Sequence, residues 1–128
     1  VDNKACDSAR VDDRLIGLKA KNGYAMAIDD NAKTLTFGQF LYKFNLENNE
    51  RIDHNLGHNV YGGEPVFVPK KHDSSEDDGW IMAIVFDGNI NKSKLIIVDV
   101  KNFDKKPVCE VILPQRVPFG AHGSWLSN

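Results

Sequence analysis

The stretch Arg116-Val117-Pro118-Phe119-Gly120-Ala121-His122-Gly123-Ser124-Trp125 holds the residue type best suited to chemistry, a lone histidine six residues from the chain's end. Gly120 and Gly123 lie on either side of His122, just past a Pro-Phe corner. Glycine lets backbone or a bound ion come close to an imidazole without Cβ clashes. Histidine is also the commonest side-chain ligand for transition metals. A hydrogen-bonded core histidine is the more frequent use of such a residue, so the motif alone leaves both readings open.

Other candidates carry less. Glu76-Asp77-Asp78 clusters oxygens of the kind hard cations use. No glycine sits at the required turn and no distal bidentate acid follows, so the run reads as a solvated charged loop. His54 and His58 are four apart, a metal spacing on a helix. Gly57 lies between them in a polar strand and turn, and they read as surface residues, as does His72 beside Lys70 and Lys71. Cys6 and Cys109 are far apart and fit neither a metal knuckle nor a disulfide framework. Cys109, in an apolar alternating run, reads as an inert core thiol. Glu64, taken by itself, reads as a solvated strand-end residue.

The elements that must position these residues are short strands. The 128 residues amount to about one domain. With 41% hydrophobic and 27% charged residues the chain can build a core. A net charge of −2 gives no basic field for nucleic acid. No stretch nears the ~20 apolar residues of a membrane helix. The start Val1-Asp2-Asn3-Lys4 has no initiator methionine and no apolar leader, which suggests a chain processed or excised from something longer. Sparse cysteine fits a reducing cytosol, so a cytoplasmic location is expected.

Strands are predicted over Tyr24–Ile28, Phe40–Leu46, Arg51–Leu56, Gly62–Pro69, Trp80–Phe86, Leu95–Val100, Val108–Leu113 and Gly120–Leu126. Glu47-Asn48-Asn49-Glu50 reads as a hairpin turn, with Asn49 able to take a left-handed conformation. Trp80–Phe86 is nearly all apolar, which predicts burial on both faces. The aromatics Phe40, Tyr42, Phe44, Phe67, Trp80 and Phe86 read as core rather than as a cofactor box. Ala9–Ala20 has an ambiguous apolar spacing, and a helical turn there stays open. Strands at this spacing suit a sandwich, a barrel or a propeller.

Three blocks, Tyr61-Gly62-Gly63-Glu64-Pro65-Val66-Phe67-Val68-Pro69, Glu76-Asp77-Asp78-Gly79-Trp80 and Leu113 to Trp125, resemble in order and spacing the C-terminal end of the carotenoid cleavage oxygenases. Lys94–Lys101 and Leu41–Leu46 resemble the segments between and before them. The resemblance covers roughly 23–128, and residues 1–22 match poorly. It implies an all-β fold of antiparallel strands forming the last two or so blades of a seven-bladed β-propeller. It implies a non-haem Fe(II) site held by four histidines, three of them oriented by glutamates. By position, His122 corresponds to the last iron ligand and Glu64 to the last orienting glutamate. A ligating histidine usually gives its other ring N–H to such an acceptor, and a carboxylate flanked by Gly63 and Pro65 suits that use.

The implied activity of the parent protein is cleavage of a conjugated C=C bond of a carotenoid, apocarotenoid or stilbene-like substrate with O2. Val117 and Phe119 are candidates for an apolar tunnel wall. The other ligands are not in this chain, so it is expected to hold no iron and to be inactive alone. Open strand edges are expected to let it dimerise. Peripheral membrane contact is expected through regions outside this chain. The alternative reading is a non-catalytic β-rich interaction or structural domain.

Overall fold

The computed structural model describes residues 3–34, 36–120 and 122–126. The Val1-Asp2 start and part of the strand predicted over Gly120–Leu126 lie outside the described residues.

Among the described residues nine strands form two antiparallel sheets. The first runs β1 (Cys6–Arg10), β2 (Asn22–Ile28), β3 (Phe37–Asn45), β4 (Arg51–Asn55), in that spatial order. The second is built on β7 (Gly79–Asp87), β8 (Lys92–Asp99) and β9 (Cys109–Ile112). Its inner edge is β5 (Val60–Tyr61) and β6 (Val66–Pro69), both paired to β7. Between β1 and β2 the chain makes one 3-10 turn, Asp13–Leu15, capped by the Asp12 carboxylate on the Arg14 N–H. The open question over Ala9–Ala20 thus resolves to a strand end and a single tight turn. The β3–β4 turn follows its chemistry: Asn49 takes φ 60°, and Asn45 Oδ1 accepts the Glu47 N–H.

The sheets stack on one shared core. Tyr24, Met26 and Leu41 of the first meet Phe67, Ile81, Ala83, Val85, Ile96 and Val98 of the second. On β2 the large side chains alternate with Ala25 and Ala27, and all four residues from Tyr24 to Ala27 are buried. Phe103, in the β8–β9 connection, lies with its ring 6.1 Å from that of Tyr24, which stacks on Phe67 at the same separation. Rings at such distances add to their area burial through offset and edge contacts.

Several expectations are corrected by this packing. Trp80–Phe86 is buried on one face only: Ile81, Ala83 and Val85 point into the core, while Ile84 is 46% exposed. Val117 and Phe119 of the C-terminal segment lie over the opposite face. Of the aromatics, Tyr42 and Phe67 are buried, and Phe40, Phe44, Trp80 and Phe86 are half-buried. Phe40, Tyr42 and Phe44 lie across the sheet from Leu41, away from the shared core. Cys109 is exposed, because β9 is an edge strand with no buried face. Residues 120 and 122–126 form no strand.

Phe103 is 1% exposed and joins both sheets. Phe103→Ala is expected to cost about 3–5 kcal/mol of stability through the cavity it leaves. Urea denaturation of the two chains side by side reads this difference.

Candidate functional site

The inner edge of the second sheet is interrupted where it matters. Tyr61 pairs with Phe86 and Val66 with Met82, so Gly62-Gly63-Glu64-Pro65 on the edge opposes Ala83-Ile84-Val85 on β7. One extra residue on the edge strand is a bulge, a device that re-aims a side chain. Gly63 makes it possible, since a Cβ there would collide with the Ile84 carbonyl oxygen. Pro65, lacking an N–H, suits a position that leaves the ladder. Glu64 is the side chain so presented.

Its carboxylate is only 6% exposed and fully engaged. Oε1 accepts from His122 Nδ1 at 3.0 Å and from Arg10 Nη1 at 3.1 Å. Oε2 accepts the Gly123 backbone N–H at 2.5 Å. Burial works against the charged form, but the His122, Gly123 and Arg10 donors together hold the carboxyl below the usual carboxylate range. An ionised acceptor calls for a donor at His122 Nδ1, and in a neutral ring of that tautomer the Nε2 lone pair is left for another partner. The His122 side chain is 77% exposed in this chain. The structure thus brings together the two residues singled out by sequence, 58 positions apart. The flanking glycines play no close-approach part within the chain: a Cβ at Gly120 or Gly123 would meet nothing within 4 Å.

Beside this pair lies a cavity of about 410 Å³ against the open face of β7. Met82, Ile84, Phe86 and Leu95 form its floor, Val117 and Phe119 its cover, and Glu64 and His122 lie at its border. The cover is fastened. The Val117 N–H donates to Ser93 Oγ at 2.8 Å, and the Phe119 ring meets Phe37 edge-on at 4.9 Å. The Arg116 guanidinium sits 4.8 Å above the Phe86 ring.

The remaining candidates stay apart. His54 is not a surface residue: it is 2% exposed, with Nδ1 2.8 Å from the Phe103 carbonyl, because its side of β4 faces the core. Its Nε2 has no hydrogen-bond partner among the described residues. His58 and His72 are exposed. The Glu76–Asp78 run is more tied down than a solvated loop, with Glu76 accepting the Lys21 and Asn22 N–H groups and Asp78 bound to Ser74 and Lys101. Among the described residues no three His, Cys, Asp or Glu side chains gather as a metal-ligand set. Sequence reasoning missed Arg10, 54 positions from Glu64 and 113 from Gly123. No local spacing could have linked them. It also missed Ser93, a buried small polar residue between Lys92 and Lys94 at the start of β8.

A bulged inner strand that turns a buried glutamate onto a histidine, within stacked antiparallel sheets, defines a class, and comparison with known proteins gives the family. The chain belongs to the RPE65 family, retinal pigment epithelial membrane protein, whose model matches residues 1–127. The carotenoid 9,10(9',10')-cleavage dioxygenase 1 of Arabidopsis thaliana is 30% identical over 97% of this chain and 24% of its own length. That of Pisum sativum is 33% identical over 95% of this chain and 25% of its own. Among solved structures, a variant of the Synechocystis apocarotenoid oxygenase superposes with a TM-score of 0.87 at 24% identity, covering 98% of this chain and 26% of that one. The lignostilbene dioxygenase of Pseudomonas brassicacearum does so with 0.87 at 23%, covering 98% and 28%. The chain spans about a quarter of the relatives it matches. The two sheets are blades of a β-propeller, with Arg10 at the β1 edge of one, Glu64 at the β5–β6 edge of the other, and β4 and β9 at the opposite edges.

Gly63→Ala is expected to lower stability by ~1–3 kcal/mol, since overfilling here must shift backbone. Gly120→Ala, which faces open space, should change it by less than about 0.5 kcal/mol. Denaturation midpoints of the two variants test the contrast.

Proposed function

We propose that this chain is the C-terminal part of a non-haem Fe(II) oxygenase that cleaves a conjugated C=C bond of a carotenoid, apocarotenoid or stilbene-like substrate with O2. The observation that carries the reading is the buried Glu64 carboxylate bonded to His122 Nδ1. That bond leaves Nε2 as a metal-facing nitrogen, the arrangement of a ligating histidine with its orienting carboxylate. The relatives' names support the substrate class: they are carotenoid-cleaving dioxygenases and an apocarotenoid oxygenase. One solved relative is a cobalt-substituted enzyme, which supports a transition-metal site.

His122 fits such a metal as one donor, because a ring that gives its Nδ1–H to Glu64 turns Nε2 to the ion. Iron, when bound, would supply the O2 chemistry that side chains lack. The chain's own residues do the rest of the work assigned here. Glu64 orients the ring and raises the basicity of Nε2. Arg10 and the Gly123 N–H keep Glu64 ionised in a dry setting. The floor Met82, Ile84 and Leu95, with Phe119 above, excludes water beside the site and offers apolar contact to a greasy substrate. The remaining donors come from other parts of the protein, so the chain alone does not hold the metal firmly.

In the whole protein carrying this chain, His122→Ala should abolish iron content and substrate cleavage together. Glu64→Gln should weaken metal retention or turnover by ~10–100-fold. Metal analysis and product chromatography on the same preparations test both, and a Glu64→Gln protein that behaves as wild type would remove the role given to that residue. For the isolated chain, calorimetry should show no tight Fe(II) binding at neutral pH. One-to-one binding at roughly micromolar Kd or better would mean that this chain completes a site by itself.

A further inference from the structure

We propose that Arg10 is a positioning residue for the metal-binding imidazole, acting through Glu64 and the Gly123 carbonyl. The inference rests on the reading of His122 as a ligand. Nη1 of Arg10 reaches the same carboxylate oxygen that receives the His122 N–H, at 3.1 Å, and also the Gly123 carbonyl oxygen, at 2.8 Å. Its Nη2 is held by both oxygens of Asp13, each at 2.9 Å. The guanidinium is planar, so gripping one nitrogen fixes the direction of the other. Arg10 is the last residue of β1 and comes from the neighbouring sheet, and its side chain is 20% exposed.

This geometry does three things for the imidazole. Two donors converging on Oε1, with the Gly123 N–H on Oε2, leave the carboxylate no freedom to rotate. The plane in which it receives the ring N–H is therefore set. Holding the Gly123 carbonyl fixes, in addition, the backbone next to the ring. A third effect is electrostatic: the guanidinium shares the Oε1 lone pairs, which moderates how strongly Glu64 draws on the imidazole N–H. A lysine in this place would be a point charge on a flexible stem, unable to span both acceptors while held by Asp13. Arg10 thus ties the first blade to a ligand carried by the tail of the second.

The test uses the whole protein loaded with Co(II), following its release to a chelator and its visible absorption, with thermal midpoints measured alongside. Arg10→Met should release cobalt ~10-fold faster and change the absorption of the bound ion, as loss of an outer partner does. Arg10→Lys should fall between Arg10→Met and wild type. Wild-type release and absorption in Arg10→Met, while Glu64→Gln releases cobalt faster, would overturn the role of Arg10 and leave that of Glu64 standing. Unchanged release in Glu64→Gln as well would remove the ligand reading, and the inference with it. Should Arg10→Met fail to fold, Arg10→Lys decides: wild-type release from it overturns the proposal.

Discussion

A carboxylate shielded from water must be met by donors or give up its charge. Much of this structure converges on that requirement at Glu64. The bulge between β5 and β6 presents the side chain, and the C-terminal segment returns across the sheet to deliver an imidazole and a backbone N–H. The first sheet contributes a guanidinium. Three chain segments, distant in sequence, are drawn together by one charge. Each donor left out would leave a buried acceptor under-satisfied, a cost of the order of 1–3 kcal/mol or more for a charged group. The site therefore contributes to the docking of the blades as well as to any chemistry.

The packing has a second theme. Both outer faces of the two-sheet stack carry apolar side chains: Phe40, Tyr42 and Phe44 on the first sheet, Met82, Ile84 and Phe86 on the second. A free-standing sandwich would turn polar residues outward along each strand. Blades in a ring are covered on both faces, which accounts for the pattern and for the partial exposure of Phe40, Phe44, Met82 and Phe86 here. The His122 ring is likewise open to solvent in this chain.

Legibility followed the range of the interaction. Local signals were sufficient for the Asn49 turn, for the strands around it and for Pro69 at the end of β6, because turn chemistry and alternation are written in neighbouring residues. The pairing of Glu64 with His122 was reached through the resemblance of whole blocks, not through spacing. Longer-range facts were misread. His54 looked like a surface residue because its neighbours Asp53 and Asn55 are polar, yet strand parity turns it inward onto Phe103. Cys109 looked buried because Val108 and Val111 are apolar, yet no strand covers β9 on its outer side. Trp80–Phe86 read as doubly buried, a pattern suited to a blade with neighbours on both sides.

The C-terminal segment is secured at two points with little regular structure between them. At one, Ser93 takes the Val117 N–H and Phe119 wedges between Phe37 and Phe86, rings from different sheets. At the other, Glu64 and Arg10 grip the backbone at Gly123. Such a strap has no ladder of its own to buffer disturbance. A shift in the angle between the two blades would travel along it to the imidazole, so the steadiness of their packing becomes a determinant of how the His122 ring is aimed.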